Sequence, residues 1–275
     1  MNETYEAHEA GQRPAMDLKI SGSSTMPGGV YNRVSVSGAG KIQGDVTCRT
    51  LACSGSTKID GRAVCEQDVS CSGAVRITGD LACRELLKCS GSLQCGGELS
   101  ARDMQFSGSV KADGALKADT VHCSGSLCAA SVHCGSFHGS GCHRITGDLE
   151  AEQVRISGIS EIDGLLNAED IEITASPRSR IGNIGGSSIR VVRPEIHGLL
   201  RFFRRGSSDG LRTHTIEGDR IDLEYVTADV VRGKSVRIGP GCHIRRVEYS
   251  ESLEAEPHTV EEAVSTVQTG GEAEK

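Results

Sequence analysis

The sequence predicts an all-β protein, a parallel β-helix built from triangular coils of about 17–18 residues. Three observations carry that prediction. Ser-Gly pairs recur at Ser37-Gly38, Ser54-Gly55, Ser72-Gly73, Ser90-Gly91, Ser107-Gly108, Ser124-Gly125, Ser140-Gly141 and Ser157-Gly158, in steps of 17, 18, 18, 17, 17, 16 and 17 residues. Small or β-branched anchors fall five or six residues apart, as in Ile42, Cys48, Cys53, Ile59, Cys65 and Cys71. Aromatic residues are only 3% of the chain and Trp is absent, as a narrow interior requires.

Each coil reads as three short strands. Many anchors have an apolar residue two places earlier, such as Val46 before Cys48, Leu51 before Cys53 and Leu81 before Cys83. Alternation of period two is the mark of a strand. A Gly often follows two places later, at Gly44, Gly55, Gly61, Gly73 and Gly79. Glycine permits the unusual backbone angles of a sharp corner.

The same alignment stacks the cysteines. Cys53, Cys71 and Cys89 form one column, with Val36 below and Phe106 above; Cys48, Cys65 and Cys83 form another, continued by Ala101 and Ala118. Free Cys is a small hydrophobe that buries readily, so these stacked cysteines, most of the chain's twelve, read as core. Adjacent coils lie ~4.8 Å apart, a separation that disulfides tolerate. Oxidation between stacked cysteines is therefore open geometrically. No pair has C-x-x-C spacing, so neither a redox motif nor a zinc ribbon is supported.

One unit, Cys128 to Cys142, drops a residue and lies among His133, His138 and His143. His122 and His138 fall in one outward column with Ala52, Ser70, Lys88, Gln105, Arg155 and Glu172. Stacked His with a nearby Cys could bind zinc. The simpler reading, surface residues on a slightly irregular coil, is preferred, and no metal site is assigned.

The formal net charge of −7 argues against general nucleic-acid binding. No run of about 18 apolar residues exists to span a membrane. Met1 to Glu9 carries three Glu and no apolar stretch, so it does not read as a secretory signal.

Five segments follow. Residues 1–17 are a polar, acidic tail, and 18–192 are β-helix of nine or ten coils, on the order of 45 Å of rod. Residues 193–215 are a basic insertion; 178–212 holds eight Arg against Glu195 and Asp209. Residues 216–250 return to coil-like sequence, and 251–275 are an acidic tail in which Val260, Val264 and Val267 have the spacing of a short helical cap. Within the insertion, Arg201, Phe202, Phe203, Arg204 and Arg205 combine charge with aromatic surface. Such a segment can lie on an anionic membrane or dock a partner. An ordered loop or short helix covering the rod's flank is the simpler reading.

Two motifs tempt and fail. Ala228 to Ser235 fits a loose phosphate-loop pattern, but Asp229-Val230-Val231-Arg232 prefers strand where that chemistry needs a flexible Gly-rich turn before a helix. Ile238-Gly239-Pro240-Gly241-Cys242-His243-Ile244 looks like one unit of the hexapeptide acyltransferases. That enzyme class is the alternative reading, yet most units here place Gly two residues after the anchor, as in Ile59-Asp60-Gly61. No nucleophile, base and orienting acid assemble from the sequence, so no catalytic, cofactor-binding or metal residues are assigned.

The units Ile77-Thr78-Gly79-Asp80-Leu81-Ala82-Cys83 and Ile145-Thr146-Gly147-Asp148-Leu149-Glu150-Ala151 resemble those of the bactofilins, polymer-forming bacterial cytoskeletal proteins. Residues 18 to 176 carry the resemblance well, and the ends look like the longer Gram-positive type. The resemblance implies a right-handed β-helix that assembles end to end without nucleotide. It implies a non-enzymatic scaffold in cell shape, envelope synthesis or motility. The expected place is the cytoplasm, with the Arg-Phe segment 201–205 as the part that could bring it to the inner face of the membrane. The partners it implies are a second copy or a paralogue. Physics points the same way, because an uncapped coil leaves unpaired backbone groups that recruit another end. The N-terminal coil, Ile20 to Val36, is the expected contact, with a charge at Val34 or Val36 expected to shorten the assemblies.

Overall fold

A computed structural model of the chain describes residues 16–193 and 210–266. Among them there is no helix, and parallel strands stack into a β-solenoid of about 14 turns. Each turn has three faces. Face 1 carries Ser56–Asp60, Ala74–Ile77 and Ser92–Cys95; face 2 carries Ala63–Cys65 and Leu81–Cys83; face 3 carries Val69–Cys71 and Leu86–Cys89. Described strands pair in parallel with the strand one coil away, as in Ile59 opposite Ile77 and Cys71 opposite Cys89, with register shifts at Pro27/Gly29, Ile162/Leu165 and Gly233/Ser235.

Period-two alternation sets the interior. In Ser92–Cys95, Leu93 and Cys95 are buried while Gln94 faces solvent. Each face thus contributes two inward columns. The predicted cysteine columns stand as expected: Cys53, Cys71 and Cys89 run between Val36 and Phe106, and Cys48, Cys65 and Cys83 continue into Ala101 and Ala118.

Volume is shared between facing columns. In later coils the second face 2 column changes to Gly186, Gly218 and Gly233. A Cβ added there would lie 3.0–3.2 Å from the Cδ1 atoms of Ile171, Ile189 and Ile221 respectively. The nearer obstacle is the main chain: the same Cβ would lie 2.3 Å from the Ala168 carbonyl oxygen at Gly186 and 2.3 Å from the Gly186 carbonyl oxygen at Gly218.

Of the five corner glycines named above, Gly44 has the unusual backbone angle expected of it (φ 103°), while Gly55, Gly61, Gly73 and Gly79 do not. Positive φ occurs among described glycines only at Gly29, Gly44 and Gly241. The Ser-Gly corner between faces 3 and 1 needs glycine for close approach instead. From Gly38 to Gly158, a Cβ on each would collide with the carbonyl oxygen of the glycine one coil below. The serines beside them are exposed.

The chain's second half departs from the expected boundaries. Strand Leu211–Leu223 begins before residue 216, and Val226–Ile238 contains the whole loose phosphate-loop pattern. His143 and its neighbours aside, the largest correction is at the end. Strand His243–Ala255 runs past residue 250, and Val260–Ser265 adds a further parallel strand, with Val260 opposite Ile244. The predicted helical cap is thus a strand, and the acidic tail over 251–265 is solenoid. Its outward Glu residues made the composition look tail-like. Val267, residues 1–15 and residues 194–209, with Arg201, Phe202, Phe203, Arg204 and Arg205, lie outside the described residues.

Candidate functional site

The histidine-bearing coil is where the repeat chemistry changes. His122 and His138 are Cα partners on the outward column of face 3, flanked by Gln105 and Arg155. Their ring centroids are 4.9 Å apart, tilted by 34°. Burial first, then His122 and Arg155, hold the His138 imidazole below the usual histidine range. His133 lies on another face, its Nδ1 3.0 Å from Glu150. Among the described residues no group of three His, Cys, Asp or Glu is placed to hold a metal ion. The zinc reading therefore has two rings and no third ligand.

His143 is not a surface residue, contrary to expectation. It is 3% exposed, in the column that holds Val110 and Leu127 in the coils before it. Its Nδ1 is 3.1 Å from Ser160 Oγ, and its Nε2 is 3.5 Å from the Cys123 carbonyl. A carbonyl only accepts, so the proton sits on Nε2 and Nδ1 accepts from the Ser160 hydroxyl. The Ser160 amide in turn donates to Ser179 Oγ at 3.1 Å. Phe137 meets the imidazole edge-on at 5.4 Å. Gly139 makes the room: a Cβ there would be 2.5 Å from His143 Cε1. Burial holds the imidazole below the usual range. A polar thread of His143, Ser160 and Ser179 therefore runs inside an otherwise apolar rod.

The cysteine ladder is chemically quiet. Burial raises the thiols of Cys53 and Cys123 to about 11 and that of Cys134 to about 12. Cys48 and Cys65 have their sulfurs 3.3 Å apart, and the contact lowers the Cys48 thiol while raising Cys65. Thiolate is the reactive form, and buried thiols above 10 hold almost none of it. Only Cys142 is exposed, with Cys128 and Cys134 half-buried. A thiol-disulfide reagent at neutral pH should label Cys142 first and leave the buried ladder untouched until the protein is unfolded. Cys142→Ser should remove the fast phase; prompt labelling of many thiols in the folded protein would contradict the packed ladder.

The insertion leaves from a defined place. Val191 pairs with Leu223, and Leu211 with Val226. Residues 194–209 therefore interrupt the face 3 to face 1 corner, where earlier coils carry Ser-Gly. Its stems are pinned by the next coil. The Arg193 amide donates to Glu224 at 3.2 Å, the Arg193 guanidinium lies 4.9 Å from the Tyr225 ring centre, and the Leu211 amide donates to the Tyr225 carbonyl at 3.0 Å. Tyr225 has φ 55°, a left-handed value that favours glycine. Sequence reasoning passed over Tyr225, since nothing local marks it. The acyltransferase-like fragment forms the next such corner, with Gly241 at φ 73° against the Tyr225 ring.

Described strands stand open at both ends. Ser23–Val36 pairs along its length with Ala39–Cys53. On its other side Val34–Val36 pairs with Leu18–Ile20 and Asn32 donates to Met16 and Asp17, while residues 23–31 have no strand partner there among the described residues. Val260–Ser265 pairs on one side only. Val34 and Val36 are interior, so charging them would unpack the coil instead of probing a contact. The two large hydrophobics exposed among the described residues, Met16 at 78% and Val30 at 70%, both belong to this N-terminal end.

A stack of in-register parallel coils with a closed interior and open ends defines a β-solenoid rod. The chain belongs to the family of Uncharacterized protein YhbE of Bacillus subtilis (strain 168), with which it is 38% identical over 240 residues, 87% of this chain and 93% of YhbE. It is also similar to Uncharacterized protein YhbF of the same organism, 44% identical over 81 residues, which span 30% of this chain and 32% of YhbF. No family model and no solved structure matches the chain.

Proposed function

We propose that this protein is a non-enzymatic cytoskeletal scaffold whose rods join end to end into filaments without nucleotide, in the cytoplasm of the cell. The observation that carries the reading is the open ladder at both ends. Unpaired strand edges recruit other strands, and a solenoid that stacks identical coils internally can continue the same ladder into a second copy. The exposed Val30 and Met16 at the N-terminal end add apolar surface to that contact. The bactofilin resemblance supports the same reading and suggests cell shape, envelope synthesis or motility as the process served.

Negative-stain microscopy of the purified full chain, free of nucleotide, should show filaments about one rod wide. Val30→Asp should shift the sedimenting material to short species without altering the thermal unfolding midpoint. Particles that remain single rods at every concentration tested would overturn the reading.

A further inference from the structure

We infer that the Ser-Gly edge of the rod is a docking surface for an anionic phospholipid bilayer. The observation is where the charges fall. Between residues 18 and 192 there are seventeen Lys and Arg and eighteen Asp and Glu, so these coils are nearly neutral in sum. The register sorts them. The central outward column of face 1 carries Lys41, Lys58, Arg76, Lys111, Arg144 and Arg180. That of face 3 carries Lys19, Lys88, Arg155 and Arg190. Arg178, also exposed, lies at the corner between them.

This edge therefore holds eleven of the seventeen cations and only two of the eighteen acids, Glu161 and Glu172. The other two edges and face 2 hold six cations and sixteen acids. The rod is charged positively along one edge and negatively on the rest of its circumference, at almost no net cost in charge.

The neighbours of the basic edge sharpen the point. Between the two columns lie the Ser-Gly pairs and a row of small residues, including Ser56, Ala74, Ser92, Ser109 and Ser126. The long cationic side chains thus stand proud of a smooth ridge. Some are engaged: Lys41 and Lys58 both reach Asp60, Lys111 reaches Asp113, Arg144 pairs with Glu161 and Arg155 with Glu172. Lys19, Arg76, Lys88, Arg178, Arg180 and Arg190 make no ion pair among the described residues.

Shape chooses the partner. An edge on the order of 45 Å long, with a cation column on each flanking face, brings long Lys and Arg side chains from both faces within reach of one plane. Cations near an anionic leaflet are each attracted within a Debye length. The acidic remainder of the surface is repelled, which fixes one orientation about the rod's axis. A nucleic acid is a poorer fit, because the cations are spread over two diverging faces and the rest of the surface is acidic. The one groove beside the edge, which holds the His122 and His138 rings, has Glu172 at its end and only Lys88 and Arg155 as cations. The attraction has no apolar component at this edge, so it is reversible and salt-dependent. The inference does not rest on filament formation, although joined rods would add their contacts and bind more tightly.

The test is co-sedimentation of the full chain with vesicles of phosphatidylcholine alone or mixed with phosphatidylglycerol. Binding should require the anionic lipid and fall as salt is raised. The variant Arg76→Glu, Lys88→Glu, Arg180→Glu should weaken it ~100-fold or more, at about a factor of five per cation removed. A matched control, Arg62→Glu, Arg84→Glu, Lys117→Glu, makes the same charge change away from the edge and should leave most of the binding intact. Circular dichroism and microscopy of each variant confirm that the rod and any filaments persist, so loss of lipid binding is distinguishable from loss of assembly. Equal losses in both variants, equal binding to neutral vesicles, or tighter binding to single-stranded DNA than to anionic vesicles would overturn the inference. So would abolition by Arg201→Ala, Arg204→Ala, Arg205→Ala with no effect of the edge variant, which would assign the contact to the insertion.

Discussion

Replacing Gly91 with alanine is expected to break the rod at its middle. Gly91 has an ordinary negative-φ backbone, so the penalty comes wholly from space. The new methyl group would drive into the carbonyl oxygen of Gly73 and the main chain of Ser72. Those atoms are held by ladder bonds; the Ser92 amide donates to Gly73 at 2.9 Å and the Ser90 amide to Cys71 at 2.9 Å. Neither can retreat without stretching the coil spacing on all three faces. Overpacking against a rigid neighbour costs about 3 kcal/mol, the upper end of the usual range. Gly22→Ala is the matched control. It is the same Ser-Gly corner at the first coil, where an added Cβ meets nothing within 4 Å. Urea unfolding of the two variants should differ by about the full 3 kcal/mol, and Ser90→Ala, at an exposed position, should stay within about 0.5 kcal/mol of the parent. Equal midpoints for Gly91→Ala and Gly22→Ala would refute close approach as the reason for the repeat.

That contrast also explains what a sequence shows and hides in such a protein. The columns were legible because side chains alternate with period two and coils repeat with period seventeen, so Cys53, Cys71 and Cys89 align on paper as they do in space. The reason for glycine was not legible. It lies in the coil below, seventeen residues away, and local reasoning supplies only the turn. Composition misled at the C-terminal end, where the exposed Glu261 and Glu262 lie within a strand, Val260–Ser265, whose pairing of Glu262 with Arg246 and Ala263 with Val247 no single segment reveals. The insertion's anchor on Tyr225 was hidden for the same reason.

His143 was hidden although the signal was present. Two residues after each corner Gly the chain points inward: Val75 after Gly73, Leu93 after Gly91, Val110 after Gly108, Leu127 after Gly125. The same count from Gly141 lands on His143, and from Gly158 on Ser160. A polar residue in an irregular unit invited the surface reading, and the register overruled it. The candidate surfaces stand in the same relation to the sequence. The Arg and Lys of the basic edge are visible one by one, but which edge they share depends on the register of every coil.

The buried imidazole gives a second large expected effect, on stability against pH. Folded, His143 sits below its unfolded value, because charging it would bury a cation without a partner. The groups facing it are the Ser160 hydroxyl, the Cys123 carbonyl and the Phe137 ring, none of them anionic. On the outer side Arg144 and Glu161 are exposed and satisfy each other. The neighbouring Cys123 thiol is held up at about 11 and brings no charge near neutrality. The unfolded chain therefore binds a proton that the folded rod refuses. Stability from this residue is fully present above the unfolded pKa near 6.5 and is lost as pH falls below it, at up to about 1.4 kcal/mol per pH unit, until the folded pKa is reached. His138, more exposed and shifted the same way, adds a smaller share. His143→Leu restores the residue type of the preceding coil and removes the titration, with Gly139 leaving room for the side chain. Urea midpoints measured at pH 7.5 and 5.5 should converge for His143→Leu and diverge for the parent, beyond the change that the carboxylates impose on both. Parallel shifts in the two proteins would mean that the imidazole is charged in the folded rod, and that the thread through Ser160 and Ser179 accommodates a cation after all.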